Sequence, residues 1–211
     1  MKRLIIIGAG GFGREVLGYA EDIRCNSDCK WTIGGFIDDN NKALDGYDVE
    51  YPIIGSIKDY VPKENDLFIC AFGDSDRRLG IGRTFQNRGA VFTNLIHPSA
   101  IILKRTVIGT GAIISMNALI ANDSICGDFL YMNFGSFIGH DNVIGDGCTL
   151  NSYCGTNGTC KLGSRVYMGV HSVIIPGKKV GNDVKICAGA IVFNNIKDGH
   201  TVYGNPARNL K

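Results

Sequence analysis

Several features that would assign a protein class are missing from this sequence of 211 residues. The 22 lysines and arginines nearly balance 20 acidic residues and form no basic run, so the electrostatic footprint of a nucleic-acid-binding protein is absent. No apolar stretch approaches the roughly 20 residues that a bilayer-spanning helix needs. The apolar run at residues 4–7 is too short for a signal peptide and indicates a buried strand. We therefore expect a globular protein with no membrane span and no nucleic-acid partner.

What the chain does have is a repeat of six residues. Cut into sixes, residues 108–197 carry Ile, Leu, Val or Met at every first position except Cys126 and Thr156. The fifth position is mostly Ala, Ser, Cys or Val. A period of six fits neither the 3.6 residues of a helix nor a two-residue alternation, and it is typical of a parallel β-helix. Three six-residue faces make a coil of 18 residues, so these 90 residues predict five coils with the first and fifth positions pointing inward.

The cysteines fit this repeat better than they fit a metal site or a disulfide framework. The sequence has 8 cysteines but no C-x-x-C pair. Cys148, Cys154 and Cys160 all occupy the inward fifth position, where cysteine acts as a small hydrophobic residue. Successive sixes lie on different faces, so these thiols should not converge on one ion. We expect no structural metal, no disulfide and a reducing, cytoplasmic compartment.

Before the repeat, the chain alternates strands and helices. A predicted strand, Lys2–Ile7, runs into a glycine-rich turn at residues 8–13 and then a segment of helical spacing. In this setting a G-x-G-x-x-G turn lets a phosphate approach the backbone at a helix N-terminus. Further strands are predicted at Trp31–Ile37, 66–72 and 91–96, and a helix at 77–88. The pattern passes to the repeat near His97, which divides the chain into domains 1–96 and 97–211.

Three roles are open for the first domain. An NAD-binding Rossmann domain needs two mononucleotide halves, whereas this segment holds one, and no catalytic half for hydride transfer follows. A half-Rossmann unit that binds one nucleotide portion fits better. Asp38 and Asp39 follow the second strand, where a carboxylate can accept hydrogen bonds from a ribose or a base. A purely structural βα cap is the remaining alternative.

One outward position of the repeat carries a candidate catalytic residue. The six residues 138–143 read I-G-H-D-N-V and place His140 outward beside Asp141. The three other histidines lie at the domain junction, in a later coil and near the end of the chain. No G-x-S-x-G nucleophile elbow is present, and the inward cysteines are poor nucleophile candidates. Spacing alone leaves His140 open as a general base or as ordinary surface.

These landmarks resemble the bacterial nucleotide-sugar and sialic-acid acetyltransferases of the left-handed β-helix superfamily. That family has a Rossmann-like domain beginning G-x-G-G, an Asp-Asp after the second strand, an N-L-I-H-x-S-A junction, an H-[DE]-x-x-I-G hexad and a G-x-P-A-[RK] ending. The matching positions here are residues 8–13, Asp38 and Asp39, 94–100, 140–145 and 204–208. The match covers nearly the whole chain in the right order.

The resemblance implies both a fold and a chemistry. The fold is an α/β half-Rossmann domain followed by a left-handed parallel β-helix, assembled as a homotrimer with acetyl-CoA bound between neighbouring chains. His140 would be the general base that takes a proton from the attacking amine or hydroxyl. Asp141 would orient the imidazole and stabilise its charged form. Attack on the thioester would be direct, without an acyl-enzyme.

The family's binding positions carry over by motif. For the acceptor, the resemblance assigns Gly10, Gly11, Phe12, Asp38, Asp39 and Gly73. For acetyl-CoA, it assigns Asn133, Thr149, Gly158 and Ala188, with the glycine letting the coenzyme lie against the backbone. Phe12 and Thr149 stand where some members have histidines, so the identity of the acceptor stays open.

The function that we predict is acetyl-CoA-dependent N-acetylation of a nucleotide-linked amino sugar for surface glycan biosynthesis. The main alternative is a sugar O-acetyltransferase of the sialic-acid type, because the same base can activate a hydroxyl. A non-enzymatic β-helix scaffold is the alternative from another class, and the intact His140–Asp141 pair argues against it. An NAD-dependent enzyme is the fourth.

Overall fold

The computed structural model describes residues 1–210, which form a small parallel sheet with two helices followed by a β-helix. The sheet order is β2-β1-β3-β4, with all pairs parallel. The elements of this domain are β1 (Lys2–Ile7), α1 (Gly11–Asn26), β2 (Trp31–Ile37), β3 (Asp66–Cys70), α2 (Ser75–Asn87) and β4 (Val91–Phe92). One mononucleotide half is present, so the predicted half-Rossmann unit is confirmed.

The start of α2 differs from the sequence prediction by two residues. The helix begins at Ser75 rather than at Arg77, because Asp74 caps it by accepting a hydrogen bond from the Arg77 N–H at 2.8 Å. Helical periodicity could not reveal this first turn, since Ser75 points into the domain contact instead of following the apolar stripe. The cap fixes where the loop after β3 ends and α2 begins.

The β-helix has three flat faces built from two-residue parallel strands. Face 1 contains Leu95–Ile96, Ile113–Ile114, Tyr131–Met132, Thr149–Leu150, Tyr167–Met168, Lys185–Ile186, Thr201–Tyr203 and, antiparallel, Arg208–Asn209. Face 2 contains Ile101–Ile102, Leu119–Ile120, Phe137–Ile138, Gly155–Thr156, Val173–Ile174 and Ile191–Val192. Face 3 contains Val107–Ile108, Ile125–Cys126, Val143–Ile144, Lys161–Leu162 and Lys179–Val180. We call the turns between them corner 1–2, corner 2–3 and corner 3–1, and the predicted fold class is confirmed.

The inward columns are those that the repeat predicts. First-position residues such as Ile138 and Leu150 are fully buried, and so are the fifth-position residues Cys148, Cys154 and Cys160. The coils stack in 18-residue register up to Ile191–Val192, and the last coil is two residues shorter, with Lys185 paired to Thr201 and Val180 to Ile196. The exceptions Cys126 and Thr156 also point inward and are buried.

The predicted strand at residues 91–96 is divided between the two domains. Val91–Phe92 pairs with β3, whereas Leu95–Ile96 pairs with Ile113–Ile114 on face 1. An apolar run carries no mark of which partner each residue takes, so the sequence could not show the break. Strand pairing puts the change of domain between Phe92 and Leu95, a few residues before the predicted boundary.

The first domain packs on face 1 and corner 3–1. Phe12 lies against Tyr131 with ring centroids 4.5 Å apart. Arg83 of α2 bonds Asp128 and Asp146 at 2.7 Å each on corner 3–1. Within residues 1–210, neither helix has the length and apolar character needed to cross a bilayer.

The centre of the domain contact is the guanidinium of Arg78, which is completely buried. It donates to the carbonyls of Phe72 and Gly73 in its own domain at 2.8 and 3.3 Å. In the β-helix its acceptors are the carbonyls of Phe129, Gly147 and Cys148 and the Thr149 hydroxyl, at 2.8 to 3.0 Å. Burial lowers the pKa of Arg78 to about 10, so the group is still cationic at neutral pH. Main-chain dipoles, not a carboxylate, compensate the buried charge.

Candidate active site

His140 and Asp141 form a hydrogen-bonded pair at corner 2–3. The Nδ1 atom of His140 lies 2.6 Å from Oδ2 of Asp141. The imidazole side chain is 64% exposed, and among residues 1–210 its Nε2 atom has no hydrogen-bond partner. Asp141 has a left-handed backbone with φ of 56°, a conformation that aspartate tolerates better than most residues. A carboxylate on Nδ1 fixes the tautomer in which Nε2 is the basic nitrogen.

Gly158 supports the imidazole from the next coil. A Cβ added to this glycine would collide with the Nε2, Cε1 and Cδ2 atoms of His140, so the ring occupies the space that any other side chain would need. Gly158 is itself buried. The absence of a Cβ at this position leaves the space that the imidazole occupies, while the contact of Gly158 with coenzyme A stays a prediction.

A second ion pair continues the same corner. Arg105 bonds both carboxylate oxygens of Asp123 at 2.5 and 2.7 Å. Asp123 precedes Asp141 by one coil in the same column. The Arg105 guanidinium lowers the pKa of Asp123, and the nearby His140 adds to that effect. The base therefore lies near two carboxylates, of which one is neutralised by an arginine.

The predicted acceptor residues meet at the carboxyl ends of β1, β2 and β3. Gly10 caps α1 without a side-chain bond, which leaves the first N–H groups of the helix open to a ligand. Gly13 is required at the start of α1, since a Cβ there would collide with the Gly8 carbonyl. Gly11 and Gly73 are exposed at the same edge, and Phe12 is half-buried. A crevice at this place in an open α/β sheet is the usual ligand position.

The two aspartates after β2 have different duties. Both oxygens of Asp38 are engaged within the chain, by the Ala9 N–H at 2.7 Å and the Asn40 N–H at 2.8 Å. Asp39 is exposed and accepts only from the Lys58 N–H, at 3.1 Å. Asp38 therefore shapes the glycine turn, while Asp39 has oxygen lone pairs left for a ligand.

The predicted coenzyme residues are not together. Asn133 and Ala188 lie on corner 1–2, three coils apart, whereas Gly158 lies on corner 2–3. Thr149 is 1% exposed on face 1, where its hydroxyl bonds Ser75 and Arg78 at 2.8 Å each. Because that hydroxyl is sealed in the domain contact, we assign Thr149 to the contact and correct the expectation that it touches acetyl-CoA.

A cavity of about 680 Å³ opens between the start of α2 and the uncovered part of face 1. Its lining residues are Gly73, Asp74, Ser75, Asp76, Asn151, Arg165, Tyr167, Asp183 and Lys185. Gly73 belongs both to this lining and to the predicted acceptor residues. Its size suits a sugar-sized group next to a nucleotide.

The acceptor crevice and the base are on opposite sides of one chain. The first domain covers face 1, and corner 2–3, which carries His140, is the edge opposite that face. The predicted acceptor residues Gly10 and Gly73 and the imidazole of His140 therefore lie on opposite sides of the β-helix within one chain.

Two parts of this arrangement escaped the sequence analysis. Arg78 looked like one of several charged residues in a helical segment, and nothing in its spacing shows burial. The pair Arg105 and Asp123 had a usable signal, because the two residues are 18 apart and therefore one coil apart in the predicted register.

The sequence is similar to one protein family and to two characterised acetyltransferases. Residues 3–84 match the family described as the PglD N-terminal domain. GDP-perosamine N-acetyltransferase of Escherichia coli O157:H7 is 30% identical over 216 residues, covering 98% of this chain and 95% of that protein. UDP-N-acetylbacillosamine N-acetyltransferase of Bacillus subtilis (strain 168) is 32% identical over 124 residues, or 54% of this chain and 51% of that protein.

Solved structures agree over the full length. PerB from Caulobacter crescentus, in complex with CoA and GDP-perosamine, superposes with a TM-score of 0.87 at 26% identity, covering 100% of this chain and 98% of that one. The acetyltransferase domain of PglB from Neisseria gonorrhoeae, in complex with acetyl coenzyme A, gives 0.87 at 27% identity and covers 99% of each chain. The Caulobacter enzyme has also been solved with one histidine replaced by asparagine or alanine.

Proposed function

The chain belongs to the nucleotide-sugar N-acetyltransferase family, and on that premise we propose that His140 is the general base of a site shared between copies. Its activity is the transfer of an acetyl group from acetyl-CoA to the amino group of a nucleotide-linked sugar. The observation that carries the residue assignment is the His140–Asp141 pair, bonded at 2.6 Å, in a side chain that is 64% exposed.

The proposed step is a direct acyl transfer. The amine nitrogen attacks the thioester carbonyl carbon as Nε2 of His140 takes the amine proton. The C–S bond then breaks, coenzyme A leaves as a thiolate, and the proton on the imidazole passes to that sulfur. Asp141 stabilises the imidazolium between the two events. No acyl-enzyme is needed, and the buried cysteines are uninvolved.

The acceptor nucleotide would lie at the carboxyl ends of β1, β2 and β3. Gly10, Gly11 and the N-terminus of α1 suit a diphosphate. Asp39 supplies a free carboxylate for the nucleoside, and Phe12 and Gly73 border the path to the sugar. The cavity beyond Gly73 gives that sugar room along face 1.

Acetyl-CoA would lie where corner 2–3 of one copy meets its neighbour. Gly158 shapes this place by holding the imidazole, and the exposed Ala188 and half-buried Asn133 on corner 1–2 would line the neighbouring wall. These positions come from the family's motifs, with Thr149 now removed from the set.

The number of copies comes from the family resemblance, which implies a trimer, and a head-to-tail contact that closes on itself makes such a ring. Val107, Ile125 and Val143 form an exposed ladder on face 3, directly after the turn of His140, and they are 58%, 52% and 42% exposed. Such a stripe is typical of a protein interface. Ile125→Lys should give monomers by light scattering and abolish turnover, while Lys179→Ala, in the same column, should keep the trimer. A wild-type monomer that is fully active contradicts the shared site.

The cellular setting follows from the same chemistry. Each of the eight cysteines is a free thiol in the structure. This supports the cytoplasm, a reducing compartment. The product would feed surface glycan synthesis.

The test is a thiol-release assay with acetyl-CoA against GDP-perosamine, a UDP-linked amino sugar and sialic acid. We expect an amino sugar to be consumed and to give an amide, which resists alkaline hydroxylamine. An ester, cleaved by that reagent, would identify the O-acetyltransferase instead. His140→Ala should lower kcat by about 10²–10⁴-fold, with Lys179→Ala, an exposed residue on face 3, as the control that keeps kcat. Near-normal turnover in His140→Ala would remove the base assignment.

A further inference from the structure

The inside of corner 2–3 carries a ladder of side-chain hydrogen bonds. Thr106, Ser124, Asn142 and Cys160 occupy one inward column, 18 residues apart. Each donates to the carbonyl that lies 15 residues later: Thr106 to Ala121 at 3.1 Å, Ser124 to Gly139 at 2.8 Å, Asn142 to Asn157 at 3.0 Å and Cys160 to Ile175 at 3.3 Å. This shared bond ties each coil to the next.

Asn142 does more than the other members of the column. Its side chain is fully buried, and its Nδ2 group also donates to the carbonyls of Gly139 at 2.7 Å and His140 at 3.3 Å. Its Oδ1 atom accepts the Cys160 N–H at 3.0 Å. A hydroxyl or thiol has one hydrogen to donate, whereas an amide has two and a separate acceptor. Only the amide can make the shared bond to the next coil and also bond the carbonyls of its own turn; we call the bonds to Gly139 and His140 the clamp.

We propose that Asn142 is a positioning residue that holds the turn of His140 so that the imidazole stays on Gly158 and against Asp141. The proposal rests on the function of His140 argued above. The ring is 64% exposed, and its side-chain hydrogen bond among residues 1–210 is to Asp141, so the position of the ring depends on the backbone that carries it. Asn142 fixes that backbone from beneath, at the carbonyl of the catalytic residue itself.

Accurate placement matters because a displacement of about 1 Å in a catalytic group can cost about 10²-fold in rate. The amide grips both coils that frame the base. Through Gly139 and His140 it holds the turn above, and through Asn157 and Cys160 it holds the residues that flank Gly158. Loss of the clamp would let the ring lift away from the glycine without unfolding the column.

The test is Asn142→Ser, which copies the preceding member of the column. The serine can keep one donor bond, so the coil-to-coil tie survives while the clamp is lost. We expect kcat to fall about 10–10²-fold with the KM values for acetyl-CoA and the acceptor unchanged. Thr106→Val is the matched control, since it removes one bond of the shared ladder at the same corner but leaves the turn of His140 alone. It should lower Tm and keep wild-type kcat.

Crystal structures of wild type and Asn142→Ser provide a readout apart from turnover. We expect the imidazole to have left its place on Gly158. Wild-type kcat with a lowered Tm, or an unmoved imidazole, would overturn the positioning role. If wild type acetylates no amino sugar, or His140→Ala is fully active, the proposed function fails and the ring position alone decides the role of Asn142. Asn142→Cys, which copies the next member of the column, replaces the serine variant if that one does not fold.

Discussion

The imidazole of His140 rests on Gly158, one coil later, in the space where another residue would have its Cβ. Gly158→Ala should therefore push the ring aside. The backbone of this glycine is not left-handed, so alanine causes no local strain, and the displaced group is the end of a side chain that can rotate. We expect a loss of about 10²-fold in kcat with little change in Tm.

A glycine on α2 provides the control for this substitution. Gly80 is exposed, and a Cβ added there meets nothing within 4 Å. Gly80→Ala should raise the free energy of unfolding by up to about 1 kcal/mol and leave kcat unchanged. A Gly158→Ala variant with wild-type kcat would show that the ring has a second productive position.

The pair Arg105 and Asp123 should tune the pH dependence of catalysis. A general base must be neutral to act, and a nearby carboxylate stabilises its charged form. Asp123→Asn removes negative charge and should move the acid limb of the kcat/KM profile to lower pH. Arg105→Gln leaves that carboxylate uncompensated and should move the limb to higher pH.

The variant with both Asp123→Asn and Arg105→Gln tests whether these two charges act on His140. Replacing both Arg105 and Asp123 removes one charge of each sign, so the acid limb should return close to its wild-type position. The shifts should shrink as salt is raised, because these side chains are exposed. Lys104, two coils before His140 in its own column, and Lys178 are further cations of this corner and stay constant across the set. An acid limb that is the same in all variants would contradict the coupling.

Arg78 and Arg83 offer a comparison between a buried and an exposed cation on one helix. Arg78→Met leaves several buried acceptors without a donor and should lower the free energy of unfolding by at least about 3 kcal/mol. Arg83→Gln breaks two partly exposed ion pairs, each worth about 0–1 kcal/mol. Urea denaturation measures both. Equal losses of unfolding free energy in the two variants would mean that the buried guanidinium of Arg78 contributes no more to stability than the exposed ion pairs of Arg83.

The inward cysteines should be unreactive in the folded protein. Burial raises the pKa of Cys148 and Cys154 to about 12, so these thiols stay protonated at pH 8. A thiol reagent should label the exposed Cys25 at once and the inward thiols only after a denaturant is added. Mass spectrometry of labelled peptides identifies the sites. Fast labelling of Cys148 in native protein would contradict the packed interior.

The repeat made most of the fold predictable, while the site was predictable only in part. Hexad register fixes which side chains point inward, so the burial of Cys154 and the exposure of His140 followed directly from sequence. The domain contact could not be predicted from the sequence, because Arg78 and Thr149, which bond each other there, lie about 70 residues apart in the chain. Contacts of that kind depend on how two folded surfaces fit together, and the six-residue repeat carries no information about that fit.

The role of Gly158 shows the same limit on a smaller scale. Its motif position suggested contact with the coenzyme, and only the stacking of coils revealed a side chain already in that place. The position of Asn142 in the repeat could have indicated its role from the sequence. It is an amide in a column of small residues, and a buried amide must find partners.

The 18-residue coil also restricts how the length of such a protein can change. Inserting or deleting one whole coil leaves each later residue on the same face, so the columns stay matched. A change of six residues turns everything that follows by one face and would carry His140 to a different edge from the one that another copy can reach. Lengthening by other amounts must bulge outward at a corner as a loop. The β-helix can therefore become longer or shorter along its axis only by whole coils, whereas new binding surface is added as loops at its corners.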